Sequence, residues 1–112
     1  MILVRRPPNK ALQDAISDFL TRLWDLRLEI GGPQCSKPYD ASIYNISAMS
    51  FGSLSANAIL ALNTGAKKGN FFHTTGEGGI SRYHRQPGGD LNWQIGSGYF
   101  GCRNTPGQFD AG

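Results

Sequence analysis

Thirteen of the fifteen glycines in this chain follow Phe51, and they gather behind short apolar runs. Phe71-Phe72-His73-Thr74 leads into Thr75-Gly76-Glu77-Gly78-Gly79, and an earlier run through Ile46 leads into Ser50-Phe51-Gly52-Ser53. Glycine reaches positive φ without strain and has no side chain, so clusters at strand ends mark sharp bends or close approach of a ligand to backbone. Strands that each end in such a turn belong to a parallel sheet, barrelled or doubly wound, with its ligand beyond the carboxyl ends. The chain reads as α/β.

Before the glycines, Leu12, Ile16, Phe19, Leu23, Leu26 and Ile30 recur every three or four residues. That spacing predicts an amphipathic helix over 11–30, with Asn9 as N-cap and Gly31-Gly32-Pro33 as its stop. Residues 31–41 lack periodicity and read as a connecting loop, which divides the chain into 1–41 and 42–112. A strand is expected over 43–49, then a helix over 56–68 capped by Ser53 or Ser55 with Gly69 at C′, then a buried strand over 71–74. This strand–helix–strand length suits parallel pairing through a crossover. Leu91, Trp93 and Ile95 alternate, but Gly96 and Gly98 interrupt them, so the third strand is expected there or around 99–102.

The charge of +3 comes from scattered residues, without a basic stripe carrying interleaved aromatics, and a nucleic-acid partner is not expected. No run is long and apolar enough for a membrane span. The basic pair Arg5-Arg6 follows a very short apolar run, the reverse of a secretory leader, so a cytoplasmic location is expected. Cys35 and Cys102 form no Cys-x-x-Cys pair and have no histidine at ligand spacing, so no metal is expected and both read as reduced, buried or half-buried thiols.

Three motifs stand in order: Ser47-Ala48-Met49-Ser50-Phe51-Gly52-Ser53-Leu54-Ser55, Thr75-Gly76-Glu77-Gly78-Gly79 and Gln94-Ile95-Gly96-Ser97-Gly98-Tyr99-Phe100-Gly101. Together with the lead-in Gly31-Gly32-Pro33-Gln34-Cys35-Ser36-Lys37-Pro38-Tyr39, the chain resembles the FMN-binding domain of the glutamate synthase family, in particular its short members without an amidotransferase domain. The resemblance implies a (β/α)8 TIM barrel. A complete barrel needs roughly 200–250 residues, so the 112 residues here are expected to supply its first strands and helices, preceded by an N-terminal helix. A piece of this kind is expected to be inactive alone.

By the same resemblance, Ala48, Met49 and Ser50 lie beside the flavin ring system, where small or unbranched side chains fit. Thr75, Gly76, Gln94, Ser97 and Gly98 complete the cofactor-binding set. From the residues alone, Glu77 is the best candidate for an ionisable catalytic group, because flanking glycines fix it in the turn; the competing reading is a carboxylate that caps nearby N–H groups. The turn matches neither the G-x-G-x-x-G fingerprint nor a P-loop. Trp93 and Tyr99 read as stacking partners or core aromatics. His73 reads as a satisfied structural imidazole, and His84 has less claim still to chemistry.

The implied reaction is delivery of hydride from reduced FMN to the imine of 2-oxoglutarate and ammonia, giving L-glutamate. Ammonia would arrive free or from glutamine, and the electron donor is not specified. Ile80-Ser81 stands where the full-size enzymes carry an acidic residue, and Tyr99 where they carry arginine. The alternatives are therefore an FMN barrel oxidoreductase acting on another oxo or imino acid, and a non-catalytic remnant.

Overall fold

A computed structural model describes residues 9–110. The basic pair near the N-terminus, used above to argue against a leader, lies outside them. The described chain is mixed α/β and divides between Ile43 and Tyr44 into two compact units.

In the first unit, helix α1 spans Lys10–Asp25, and Asn9 caps it by accepting a hydrogen bond from the Ala11 amide. The helix stops five residues short of the expected end. Leu26 is extended, and β1 (Arg27–Ile30) pairs antiparallel with β2 (Tyr39–Ser42). The run Leu26-Arg27-Leu28-Glu29-Ile30 fits both the helical period and strict alternation, and here cross-strand pairing wins. The Arg27 guanidinium reinforces it, reaching the Asp40 carboxylate at 3.3 Å and the Asp40 carbonyl at 2.7 Å. The expected connecting loop is thus a hairpin, its turn opened by Gly31 at φ +123°. Cys35 lies in that turn and is exposed, contrary to the buried or half-buried thiol expected.

The second unit is built on three segments running in one direction. β3 (His73–Thr74) lies in the middle, paired parallel with β4 (Leu91–Asn92) on one side and bridged to Ile46 on the other. Ile46 donates to the Phe72 carbonyl and accepts from the Thr74 amide, while His73 and Thr75 donate to Asp90 and Asn92. The strand expected over 43–49 is reduced to the Ile46 bridge and one further bond from Met49 N–H to the Thr74 carbonyl. The third strand is β4. Residues 99–102, the other expected position, form tight turns in which Tyr99 N–H bonds Gly96 and Cys102 N–H bonds Tyr99.

Helix α2 (Ala56–Gly69) connects the first two segments, capped by Ser55 through its bond to the Ala58 amide. Its C-cap is Asn70 in the left-handed region, so Gly69 is the last helical residue instead of the expected C′. Asparagine tolerates that conformation. Gly69 is needed for another reason, since a Cβ there would strike the Phe71 ring. A four-residue helix, α3 (Arg82–Arg85), precedes β4.

The largest fully buried side chains are Ile59, His73, His84, Asn63 and Thr75, four of them polar. A core of that composition depends on polar partners being in place. Asn63 shows how this is met. Its Oδ1 accepts from the Gly89 amide at 2.9 Å and its Nδ2 donates to the Gly89 carbonyl, so a side chain of α2 pins the backbone that feeds β4. Gly89 allows the approach, because a Cβ would lie 2.7 Å from the Asn63 carbonyl oxygen. Replacing Asn63 by Ala should cost about 1–3 kcal/mol in urea unfolding by leaving that backbone unpaired, whereas Thr64→Ala, one position along the same helix, should cost less than about 1 kcal/mol.

Candidate functional site

The parallel register brings the ends of the three segments side by side, and the glycine turns leave from those ends. Gly76 has φ +75°, and a Cβ on it would overlap Ser50 Oγ and lie 2.9 Å from Ser50 N. The turn after β3 is thus pressed against the turn after the Ile46 segment. Thr75 is fully buried, its hydroxyl donating to the Gly76 carbonyl and accepting from the Gln94 amide. The second of these bonds joins the second and third motifs.

Glu77 is exposed, and its carboxylate accepts from Gln94 Nε2 at 3.4 Å. Gly96 lets the two loops meet: a Cβ there would lie 2.7 Å from the Glu77 carboxyl carbon. A second close approach joins Gly79 and Gly101, both at positive φ, where a Cβ on Gly101 would lie 3.2 Å from Gly79 Cα. Ser97 and Gly98 fall between these two points of contact. Gly98 accepts from the Arg103 guanidinium through its carbonyl, and Ser97 is exposed.

The structure therefore brings Ser50, Thr75, Gly76, Glu77 and Gln94 together. Met49 is half-buried beside them through its bond to Thr74, and Ala48 is exposed. Gln94 Oε1 is buried without a hydrogen-bond partner among the described residues, as is Trp93 Nε1. A buried acceptor in that condition, where the second and third glycine turns meet, departs from the general rule that buried polar atoms are hydrogen-bonded.

His73 departs from the sequence reading. His73 is fully buried, yet neither ring nitrogen has a partner among the described residues. Burial, and secondarily the neighbouring His84, push its pKa below the ordinary 6.5, so the ring is neutral at physiological pH. His84 is equally buried and closes a capping box with Ser81. Its Nδ1 lies 3.1 Å from the Ser81 amide and its Nε2 lies 2.9 Å from the Met49 carbonyl. The available signal was Ser81-x-x-His84, a capping-box spacing with histidine in place of the usual acid or amide. Ile80 is exposed, and Tyr99 adopts φ +50° with its ring edge-on to Phe109.

A family model described as a conserved region in glutamate synthase matches residues 35–106, which contain all three motifs. The chain belongs to the glutamate synthase family. It is 45% identical over 82 residues to a glutamate synthase large subunit-like protein of Bacillus subtilis, covering 71% of this chain and 16% of that one. It is 44% identical over 54 residues to an archaeal-type NADPH glutamate synthase of Thermotoga maritima, covering 48% of this chain and 11% of the relative. The chain thus spans 16% and 11% of the lengths of these two curated relatives. No solved structure gives a significant match. Among the described residues no helix is long and apolar enough to cross a membrane, and no group of three or more metal-ligating side chains is present.

The contact between Gly76 and Ser50 supplies a direct check on this arrangement. Gly76→Ala should destabilise the protein by about 1–3 kcal/mol, through overpacking combined with positive φ. Gly78→Ala, whose Cβ would meet nothing closer than 3.6 Å, should stay within about 1 kcal/mol of the parent in the same urea titration.

Proposed function

We propose that this chain contributes part of the FMN site of a glutamate synthase-type oxidoreductase, which reduces the imine of 2-oxoglutarate and ammonia to L-glutamate. In this reading the Ile46 segment, β3 and β4 are the first strands of a β/α barrel, with the site at their carboxyl ends. The observation that carries it is the buried, unpartnered Gln94 Oε1 at the meeting point of the glycine turns, where Gly76 packs on Ser50 and Gly96 on Glu77. A flavin ring has an N–H on its polar edge, the donor type that this acceptor lacks.

Bound reduced FMN supplies the hydride. The chain's own residues bind and orient. Ala48, Met49 and Ser50 line one side of the ring, Thr75 and Gly76 offer backbone at close range, and Gln94 with Ser97 and Gly98 closes the other side. Glu77, restrained by Gln94, orients substrate or its ammonium nitrogen. The partners are thus small molecules, 2-oxoglutarate and ammonia, and the two free cysteines suit a reducing, cytoplasmic compartment.

A second reading, an FMN oxidoreductase for a different oxo or imino acid, is favoured by two residues. The exposed Ile80 offers no charge where the resemblance leads one to expect an acid, and Tyr99 offers no guanidinium to a second carboxylate.

The test uses the full-length protein. FMN should bind saturably, and the photoreduced complex should be reoxidised anaerobically by 2-oxoglutarate only when ammonium is present. Gln94→Leu should weaken FMN by about tenfold or more, the scale of one lost buried hydrogen bond. Reoxidation by other oxo acids but not by 2-oxoglutarate would select the second reading, and failure to bind FMN would exclude both.

A further inference from the structure

The partners of His84 fix where its proton sits. A backbone N–H only donates, so Nδ1, facing the Ser81 amide at 3.1 Å, must be the bare nitrogen. The proton is then on Nε2, which donates to the Met49 carbonyl at 2.9 Å. Ser81 Oγ, 2.9 Å from Nδ1 and accepting from the His84 amide, locks the ring from the same side. The ring is fully buried, and the His73 ring lies 5.4 Å away, so it has little freedom to turn.

Met49 is consequently held at both of its backbone polar groups. Its N–H bonds the Thr74 carbonyl at 3.0 Å and its carbonyl takes the His84 proton. In a trans peptide the carbonyl and the following N–H point to opposite sides of one plane. Anchoring the Met49 carbonyl therefore aims the Ser50 N–H the other way. That N–H has no hydrogen-bond partner among the described residues, and Gly76 packs closely beside it: a Cβ there would lie 2.9 Å from the Ser50 nitrogen.

We propose that His84 is a positioning residue of the ligand site: by holding the Met49 carbonyl it presents the Ser50 N–H as a fixed donor to the acceptor edge of the bound ring. The proposal rests on the flavin reading above for the identity of the ligand. The donor itself follows from the geometry of this chain.

Two substitutions separate this role from simple helix capping. Glutamine puts an amide nitrogen near the place of Nε2, whereas asparagine puts a polar atom near the place of Nδ1. In the full-length protein, His84→Gln should keep FMN affinity within about threefold and preserve the flavin absorption envelope, while His84→Asn should lose about tenfold and shift it. The carbonyl-carbon NMR shift of Met49 should move in His84→Asn and stay near the parent value in His84→Gln. A role confined to capping α3 reverses that order, and either the reversed order or equal behaviour of the two variants overturns the proposal. If the unsubstituted protein takes up no FMN, the flavin reading falls, and the Met49 shift alone decides whether His84 holds this peptide. Should both variants fail to fold, the tautomer of His84 in the unsubstituted protein decides: nitrogen NMR is expected to show the proton on Nε2, and a proton on Nδ1 contradicts the account.

Discussion

The parallel bonding of β3 on both its edges is the constraint on which the second unit depends. With Ile46 on one side and β4 on the other, three segments point the same way and end at the same level. Parallel neighbours need long connections, and α2 and the loop carrying α3 provide them. The three motifs, far apart in sequence, leave the strands as adjacent turns. Shifting β3 by a residue would break the Met49–Thr74 and Thr75–Asn92 bonds and separate Ser50 from Gly76.

Contact between these turns is made by leaving out atoms. Gly76 against Ser50 and Gly96 against Glu77 are places where a methyl group would collide with the opposite loop, and at Gly79 against Gly101 it would crowd it. Polar bonds then fix what the glycines allow, through Thr75 to Gln94 and Gln94 to Glu77. Beneath them the buried layer is polar as well. Asn63 ties β4 to α2, and His84 ties α3 to the strand end at Met49. A site of this build has rigid backbone and few ionisable groups, as suits chemistry supplied by a cofactor.

Much of this was legible in the sequence, for identifiable reasons. Ser55 and the apolar face of α2 are local signals, and the helix formed where they place it. The glycine clusters marked the joined turns, and Ser50, Thr75, Gly76, Glu77 and Gln94 do come together. The misreadings lie where two patterns fit one stretch or where a partner is distant. Residues 26–30 satisfy helix and strand periods alike, and the choice was made by Tyr39–Ser42, on the far side of a turn. The roles of His84 and Asn63 rest on atoms 35 and 26 residues away along the chain, and composition carries no trace of such pairings. His73 was expected to be satisfied because most buried imidazoles are; its bare nitrogens emerge only from the packing around it.

The central claim is that the three turns form one surface for one ligand. The most direct measurement is amide hydrogen exchange of the full-length protein, by mass spectrometry, with and without saturating FMN. The account predicts slowed exchange in peptides covering 48–51, 75–79 and 94–98 together, with α1 unchanged. Uniform exchange in all three, or protection of one without the others, would contradict it.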